Sequence, residues 1–177
     1  MGFFTFAAAF IEPRDQVLAG PVHIRHATEN FALLFIHGSG LPGNPITNAS
    51  GAYSSTVTYG WSGTVMPTPN GYTFAPASRS YGNVSSNQTG PDYTATQLTY
   101  TISGSATYNG SSLAGVTLSG LPGNPVTNAS GNYSAIVTRG WSGTVRPTLS
   151  GYTFSPTKRT YSNVTSNKTS QNYTAYH

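Results

Sequence analysis

The chain has 177 residues, of which 7% are charged, whereas about 25% of the residues in a typical soluble domain are charged. Eight Lys and Arg against four Asp and Glu residues give a formal net charge of +4 at pH 7. The cations are scattered, so this charge does not predict a nucleic-acid partner. The absence of cysteine excludes disulfides and thiolate metal sites, and no apolar run is long enough to predict a membrane span.

The amino-terminal segment differs in composition from the rest of the chain. We assign residues 1–17 to an N-terminal extension. Its apolar start, MGFFTFAAAF, lacks the basic region of a secretory signal and is soon followed by Glu12, so it is either a degraded signal or a buried strand. Residues 1–39 also hold three of the four acids and three of the four histidines, which suits a capping segment of a repeat protein or a stretch joined by gene assembly.

An internal repeat occupies the remainder of the chain. Residues 40–97 begin GLPGNPITNASGAYSSTVTYGWSGTV and residues 120–177 begin GLPGNPVTNASGNYSAIVTRGWSGTV. At a constant offset of 80 residues, 38 of the 58 aligned positions are identical. The similarity predicts two tandem domains: repeat 1 at residues 18–97, of which 18–39 are degenerate, and repeat 2 at residues 98–177.

Short strands and turns alternate along repeat 2. Asn109-Gly110 predicts a hairpin turn, because both residues tolerate positive φ, and the prolines and glycines of GLPGNP predict a loop. About seven short strands in 80 residues are typical of a Greek-key sandwich. The predicted strands are Leu98–Ser105, Leu113–Leu118, Val126–Thr127, Tyr133–Thr138, Trp141–Pro147, Gly151–Phe154, Arg159–Val164 and Asn172–Tyr176.

The strand at residues 133–138 has apolar residues on both of its faces. Ala135 and Val137 alternate with Ile136, so we interpret it as a central strand with both faces partly covered. The predicted fold class is therefore all-β, with two tandem Greek-key β-sandwich domains, Ig-like or prealbumin-like, preceded by an atypical N-terminal segment.

Four segments of repeat 2, in chain order SLAGVTLSG, TNASGNYSAIV, GYTFSPTKRTY and NYTAY, resemble the carboxypeptidase regulatory-like repeats of bacterial extracellular proteins. The resemblance covers residues 98–177 fully, residues 40–97 well and residues 1–39 poorly. It implies a prealbumin-like or immunoglobulin-like sandwich. It implies no single function, because such modules serve as stalks, spacers, adhesin parts and filament subunits.

The repeats contain few groups that could catalyse a reaction. Residues 40–176 include no His, no Glu and a single Asp, Asp92, which is replaced by Asn172 in repeat 2. Acid–base catalysis needs a group that titrates near the working pH, a Ser nucleophile needs a His base, and glycosidases need paired carboxylates. We therefore expect no enzyme activity and no cofactor. Residues 40–97 also lack lysine, so we do not expect the Lys–Asn cross-link of some related sandwiches.

One cluster has the composition of a metal site, namely His23, His26 and His37. Two histidines three residues apart share one face of a helix, but on a strand or an irregular segment they point apart. We favour the second interpretation and expect no bound metal.

Aromatic residues recur at equal positions in the two repeats. Trp61 and Trp141 both lie in GWSGTV, and the Tyr-Thr-Phe of residues 72–74 recurs at 152–154. Such recurrence favours core packing, since each copy must build the same interior. A carbohydrate-binding platform is the functional alternative.

The repeats are rich in Asn-X-Ser/Thr sequons, and several of these lie at matching positions in the two copies. A glycan coat would help to keep a surface with so few charges soluble, whereas unmodified turn residues are the alternative. The candidate glycosylation sites are Asn48, Asn83, Asn87, Asn109, Asn128, Asn132, Asn163, Asn167 and Asn172.

These features together predict a structural extracellular or cell-surface protein that assembles with itself head to tail, as a filament or stalk subunit. The alternatives are a carbohydrate-binding or adhesion module of a larger protein and a spacer with no partner. The degenerate start of repeat 1 also suggests strand exchange between chains. The candidate donor residues are Phe3, Phe4, Phe6, Phe10, Phe31, Leu33, Leu34, Phe35 and Ile36.

Overall fold

A computed structural model of the protein describes residues 17–23, 37–48, 51–68, 71–89 and 93–177. These residues form an all-β protein with fifteen strands and no helix, and hence no helix that could cross a membrane. The strands are β1 (Val17–His23), β2 (His37–Ser39), β3 (Ala52–Thr58), β4 (Trp61–Thr68), β5 (Tyr72–Ala75), β6 (Arg79–Val84), β7 (Thr94–Gln97), β8 (Thr99–Tyr108), β9 (Ser111–Ser112), β10 (Thr117–Ser119), β11 (Asn132–Thr138), β12 (Gly143–Thr148), β13 (Thr153–Ser155), β14 (Arg159–Tyr161) and β15 (Tyr173–Tyr176).

The chain divides into two compact units. Unit 1 comprises Met1–Pro69 and Phe74–Ala95, and unit 2 comprises Asn70–Thr73 and Thr96–His177. Each unit has its own cluster of buried hydrophobic residues, as expected of independent domains.

Unit 2 is a β-sandwich. One sheet has the strand order β11-β8-β15-β13, with β9 also paired to β8, and the other has the order β10-β12-β14. All of the neighbouring pairs are antiparallel except β8 and β15, which run parallel. Buried side chains from both sheets form a single core, whose most enclosed members include Ile102, Leu118, Val137, Val145 and Tyr173.

Unit 1 repeats this plan in the parts that the structure describes. Its ladders are β1-β3 and β2-β4-β6, and a further ladder, β5-β7, is formed by strands that span the boundaries between the two units. Strand β1 pairs with β3 from Val17↔Thr58 onward, as β8 pairs with β11 from Thr99↔Thr138 onward. Residues 17–23 therefore take the place of the first strand of the unit, although their sequence hardly resembles that of repeat 2.

The predicted turns are confirmed. Asn109 and Gly110 have φ of 48° and 79° and join β8 to β9. In the GLPGNP loop of unit 2, Gly120 has φ of +97°, and its N–H donates to Asn124 Oδ1 at 3.0 Å. A Cβ atom at Gly120 would overlap the Thr144 carbonyl oxygen, so this position admits only glycine.

Several strand predictions were wrong in part, and Val126 forms only an isolated bridge with Thr117 rather than a strand with Thr127. The residues from Leu113 to Val116 are not in a strand, and β10 begins only at Thr117, because Gly115 has φ of +83° and interrupts the extended backbone. The strand at 132–138 is an edge strand rather than a central one. One of its faces is buried and the other exposed, and Ile136 on the outer face is 66% exposed.

Candidate functional site

Many of the exposed side chains that the structure describes are polar and uncharged. Along β11, for example, the exposed side chains are Asn132, Ser134, Ile136 and Thr138. Of the residues that the structure describes, no group of three or more His, Asp or Glu residues could hold a metal ion. The candidate metal residue His26 and all nine candidate strand donors lie outside the described residues.

All nine candidate glycosylation asparagines are exposed. Several of them shape turns through their backbone or side chain. Asn83, Asn109 and Asn163 have positive φ, which asparagine tolerates better than most residues. Asn128 Oδ1 accepts hydrogen bonds from the N–H groups of Ser130 and Asn132, both at 3.0 Å. Exposure leaves these residues open to modification, although their turn geometry alone explains why asparagine is present.

Asn167 and Asn172 have a further structural role. Asn167 Oδ1 accepts from the N–H of Thr101 at 2.9 Å, and Asn172 Oδ1 accepts from the N–H of Ser105 at 3.0 Å. Between these two bonds, the Lys168 carbonyl accepts from the N–H of Ser103 at 2.9 Å. The segment 167–172 thus lies along β8 and uses two asparagine side chains where a regular strand would use its backbone.

The recurrent tryptophans lie at the edge of each core. Trp141 is partly buried, packs against the core of unit 2, and lies over Gly143, where a Cβ atom would overlap the indole. Its ring centroid is 5.8 Å from that of Tyr161, as that of Trp61 is 6.1 Å from Tyr81 in unit 1. The packing interpretation is therefore confirmed in part, and each indole still presents some surface to solvent.

A partly buried polar cluster, which was not predicted from the sequence, lies near Arg159. The guanidinium carbon lies 5.4 Å from the centre of the Tyr173 ring, and Nη2 donates to the Asn172 carbonyl at 2.8 Å. The Tyr133 hydroxyl donates a hydrogen bond to the Gln171 backbone carbonyl at 2.6 Å. The Tyr161 hydroxyl donates a hydrogen bond to the side-chain oxygen of the same residue, Gln171 Oε1, at 3.0 Å. The repeat contains a sequence signal for this cluster, because Arg79 and Tyr93 occupy the positions of Arg159 and Tyr173 in repeat 1. In unit 1 the guanidinium carbon of Arg79 likewise lies 5.4 Å from the centre of the Tyr93 ring.

The tyrosines of these clusters are held in their neutral form. Burial raises the pKa of Tyr173 and of Tyr93 to about 12, from an ordinary value of 10.0. Burial also raises the pKa of Tyr133 and of Tyr161, although Arg159 acts in the opposite direction on both groups. At neutral pH all four phenols therefore stay protonated, and Tyr93, Tyr133 and Tyr161 donate hydrogen bonds.

Unit 2 also has a shallow surface depression of about 550 Å³. It is lined by Gly115, Thr117, Pro147, Thr148, Leu149, Ser150 and Tyr152. The Tyr152 ring packs edge-on against Tyr108 and His177. The lining offers hydroxyls and one aromatic ring but no carboxylate, so it resembles a weak binding surface more than a reaction site.

No family model matches the chain. A chitinase, ChiA of Flavobacterium johnsoniae, is 39% identical over 103 residues, which are 55% of this chain but only 6% of that protein. Among solved structures, the Bacillus anthracis TIE protein matches with a TM-score of 0.63 and 14% identity, over 90% of this chain and 34% of that chain. A minor pilin of Streptococcus agalactiae overlaps 89% of this chain at a TM-score of only 0.38. The TIE protein's likeness supports the all-β fold, and the chain spans a small part of both the chitinase and the TIE protein.

Proposed function

We propose that the chain is a non-enzymatic structural repeat module of an extracellular or cell-surface protein, and that it associates with further copies of itself. The observation that carries the proposal is the repetition of one sandwich plan in two units, each with its own core. Strand β7 ends at Gln97 and β8 begins at Thr99, so a single residue, Leu98, lies between the last strand of repeat 1 and the first strand of repeat 2. Repeats joined in this way suit stalks and filaments.

The chitinase relative supports a modular role. The matching stretch is a small fraction of a far longer protein, as expected for a repeat that is attached to other domains. We assign the repeats to the carboxypeptidase regulatory-like group on the motifs quoted above. A solved structure of a family member that superposes on both units, including the parallel pair β8-β15, would support this assignment.

Sedimentation velocity of the full chain tests the proposed function. Self-association predicts a sedimentation coefficient that rises with protein concentration. A coefficient that stays at the monomer value over the whole accessible concentration range contradicts a self-assembling subunit.

A carbohydrate-binding module is the second candidate, and the partly exposed indoles of Trp61 and Trp141 favour it. Aromatic rings that present one face to solvent can stack on sugar rings, and one relative is named as a chitinase. A pull-down on chitin and a glycan array distinguish the candidates. Binding that is lost in the Trp61→Ala and Trp141→Ala double variant supports this function, and absence of any bound glycan excludes it for the sugars tested.

Glycosylation of the exposed asparagines, or of the many surface Ser and Thr residues, is a further part of the proposal. Intact-mass spectrometry of native protein tests it directly. Excess mass that peptide mapping places on the sequons, or on Ser and Thr, supports a glycan coat, and a mass equal to that of the polypeptide contradicts it.

A further inference from the structure

The two sheets of unit 2 have four edge strands, β10, β11, β13 and β14, which differ in how they are protected from pairing with a strand of another chain. Strand β10 is covered by its own loop, because the Leu118 N–H donates to the Pro125 carbonyl at 2.8 Å and the Thr127 N–H to the Val116 carbonyl at 2.9 Å. Strands β13 and β14 have only three residues each, and β14 contains the cation Arg159. Short strands and edge charges are the usual protection against pairing with other chains.

Strand β11 has none of these protections. It has seven residues, NYSAIVT, without charge or proline, and β8 is its one strand partner among the described residues. The side chain of Ile136 stands in the middle of its outer face and is 66% exposed. A long, uncharged edge strand with an exposed apolar residue is the kind of edge that pairs with another strand.

The backbone geometry identifies which groups of β11 are open. On β8, the N–H groups of Thr101, Ser103 and Ser105 all point toward the segment 167–172. Since N–H and C=O groups of alternate residues point to opposite sides of a strand, the intervening Ile102 faces β11, where it lies opposite Ala135.

By the same alternation, Ser134 and Ile136 direct their N–H and C=O groups away from β8. At the ends of the strand the corresponding groups are engaged: the Asn132 N–H donates to Asn128 Oδ1 at 3.0 Å, and the Thr138 carbonyl accepts from the Trp141 N–H at 3.0 Å. The open stretch is therefore centred on Ile136.

We infer that β11 pairs antiparallel with β11 of a second copy of this chain, about a two-fold axis at Ile136. This inference deepens the proposed function and rests on it, since it names one contact through which two copies associate as a pair. In this register Ile136 lies opposite its own counterpart, with Cα atoms about 5.5 Å apart. The Ile136 N–H and C=O then pair with those of its counterpart, and the Ser134 carbonyl lies opposite the Thr138 N–H of the other copy, while the Thr138 carbonyl keeps its bond from the Trp141 N–H.

A second copy can meet β11 without charge repulsion at the contact itself. Residues 93–177 carry five cations and no acid, so two copies repel each other wherever those cations approach, whereas β11 carries no charged residue. The nearest cation, Arg139, is three residues from the axis, which places the two copies of Arg139 about 20 Å apart at about 3.4 Å per residue. That separation exceeds the screening length of about 8 Å at physiological ionic strength.

Cysteine cross-linking tests the register directly, because the chain has no cysteine of its own. Under mild oxidation, Ile136→Cys is expected to give disulfide-linked dimers at least about tenfold faster than Thr56→Cys, since a hydrogen-bonded antiparallel pair has a Cα separation that a disulfide can span. Thr56 occupies the same position in β3 of unit 1 and is exposed, which makes it the matched control. Equal rates for the two variants overturn the inference.

Sedimentation velocity separates this inference from the proposed function. Ile136→Lys is expected to weaken association at least about tenfold, because two lysines would lie opposite each other, whereas Thr56→Lys should leave it unchanged. Wild-type association that Ile136→Lys does not affect overturns the β11 contact and leaves self-assembly in place. Association lost on deletion of residues 1–16, but not in Ile136→Lys, assigns the contact to a donated N-terminal strand. A wild-type chain that remains monomeric contradicts both.

Discussion

Tyr173 places a phenol hydroxyl in the core of unit 2 without a hydrogen-bond partner among the described residues. A buried polar group of this kind costs stability relative to a well-packed apolar one. Tyr133, by contrast, donates to the Gln171 carbonyl at 2.6 Å. Two chemically identical substitutions should therefore have different effects.

Tyr173→Phe is predicted to leave the free energy of unfolding at pH 7 unchanged or slightly higher, because only an unpaired hydroxyl is lost. Tyr133→Phe should lower it by about 1 kcal/mol, the usual net value of a hydrogen bond. Urea denaturation of both variants measures the difference. A larger loss for Tyr173→Phe than for Tyr133→Phe would show that the Tyr173 hydroxyl has a partner.

The raised tyrosine pKa values predict an alkaline limit to stability. The unfolded chain loses its phenolic protons near pH 10, while burial holds the pKa of Tyr173 at about 12 in the folded state. The folded state therefore keeps protons that the unfolded state releases, so the free energy of unfolding is highest below pH 10 and falls as the pH rises toward 12. Denaturation midpoints measured between pH 8 and 11 should show this fall, with a smaller fall for Tyr173→Phe.

Gly120 and Gly123 provide a second pair of matched positions, since both have positive φ. An added Cβ atom would overlap the Thr144 carbonyl oxygen at Gly120 but would meet nothing within 4 Å at Gly123. Gly123→Ala should cost about 1–2 kcal/mol from backbone strain alone, and Gly120→Ala at least about 3 kcal/mol. Thermal unfolding of the two variants checks this order, and equal losses would contradict it.

At the scale of single elements, the segment 167–172 depends on side-chain acceptors to lie along β8. Asn167→Ala removes the acceptor of the Thr101 N–H and should lower the free energy of unfolding by about 1 kcal/mol. Asn167→Asp keeps an acceptor oxygen at that place and should retain stability. Because both variants also remove the sequon, a loss in both, measured on glycosylated protein, would point to the glycan rather than to the hydrogen bond.

Individual turns and strands differ in how well the sequence predicts them. Asn109-Gly110 predicted its hairpin because the required positive φ depends on those two residues alone. The exposure of Ile136 could not be predicted, since an apolar residue on each face of a strand usually means that both faces are covered. Its exposure follows from the order of strands in the sheet, which depends on contacts between residues that are distant in the chain.

For the whole molecule, the excess of cations predicts how association responds to salt. The chain carries eight Lys and Arg against four Asp and Glu residues, so copies repel each other at long range. Raising the ionic strength from about 0.01 M to 0.1 M shortens the screening length from about 30 Å to about 10 Å and should strengthen association. Weaker association at the higher salt concentration would indicate that ion pairs, rather than neutral strand edges, hold the copies together.

The proposed architectural role of this chain depends on contacts between its copies. Negative-stain electron microscopy of the purified full chain, applied over a series of concentrations, shows directly whether such contacts form. Paired or longer assemblies should become more frequent as the concentration rises. A field of single, unassociated particles at every concentration would contradict it.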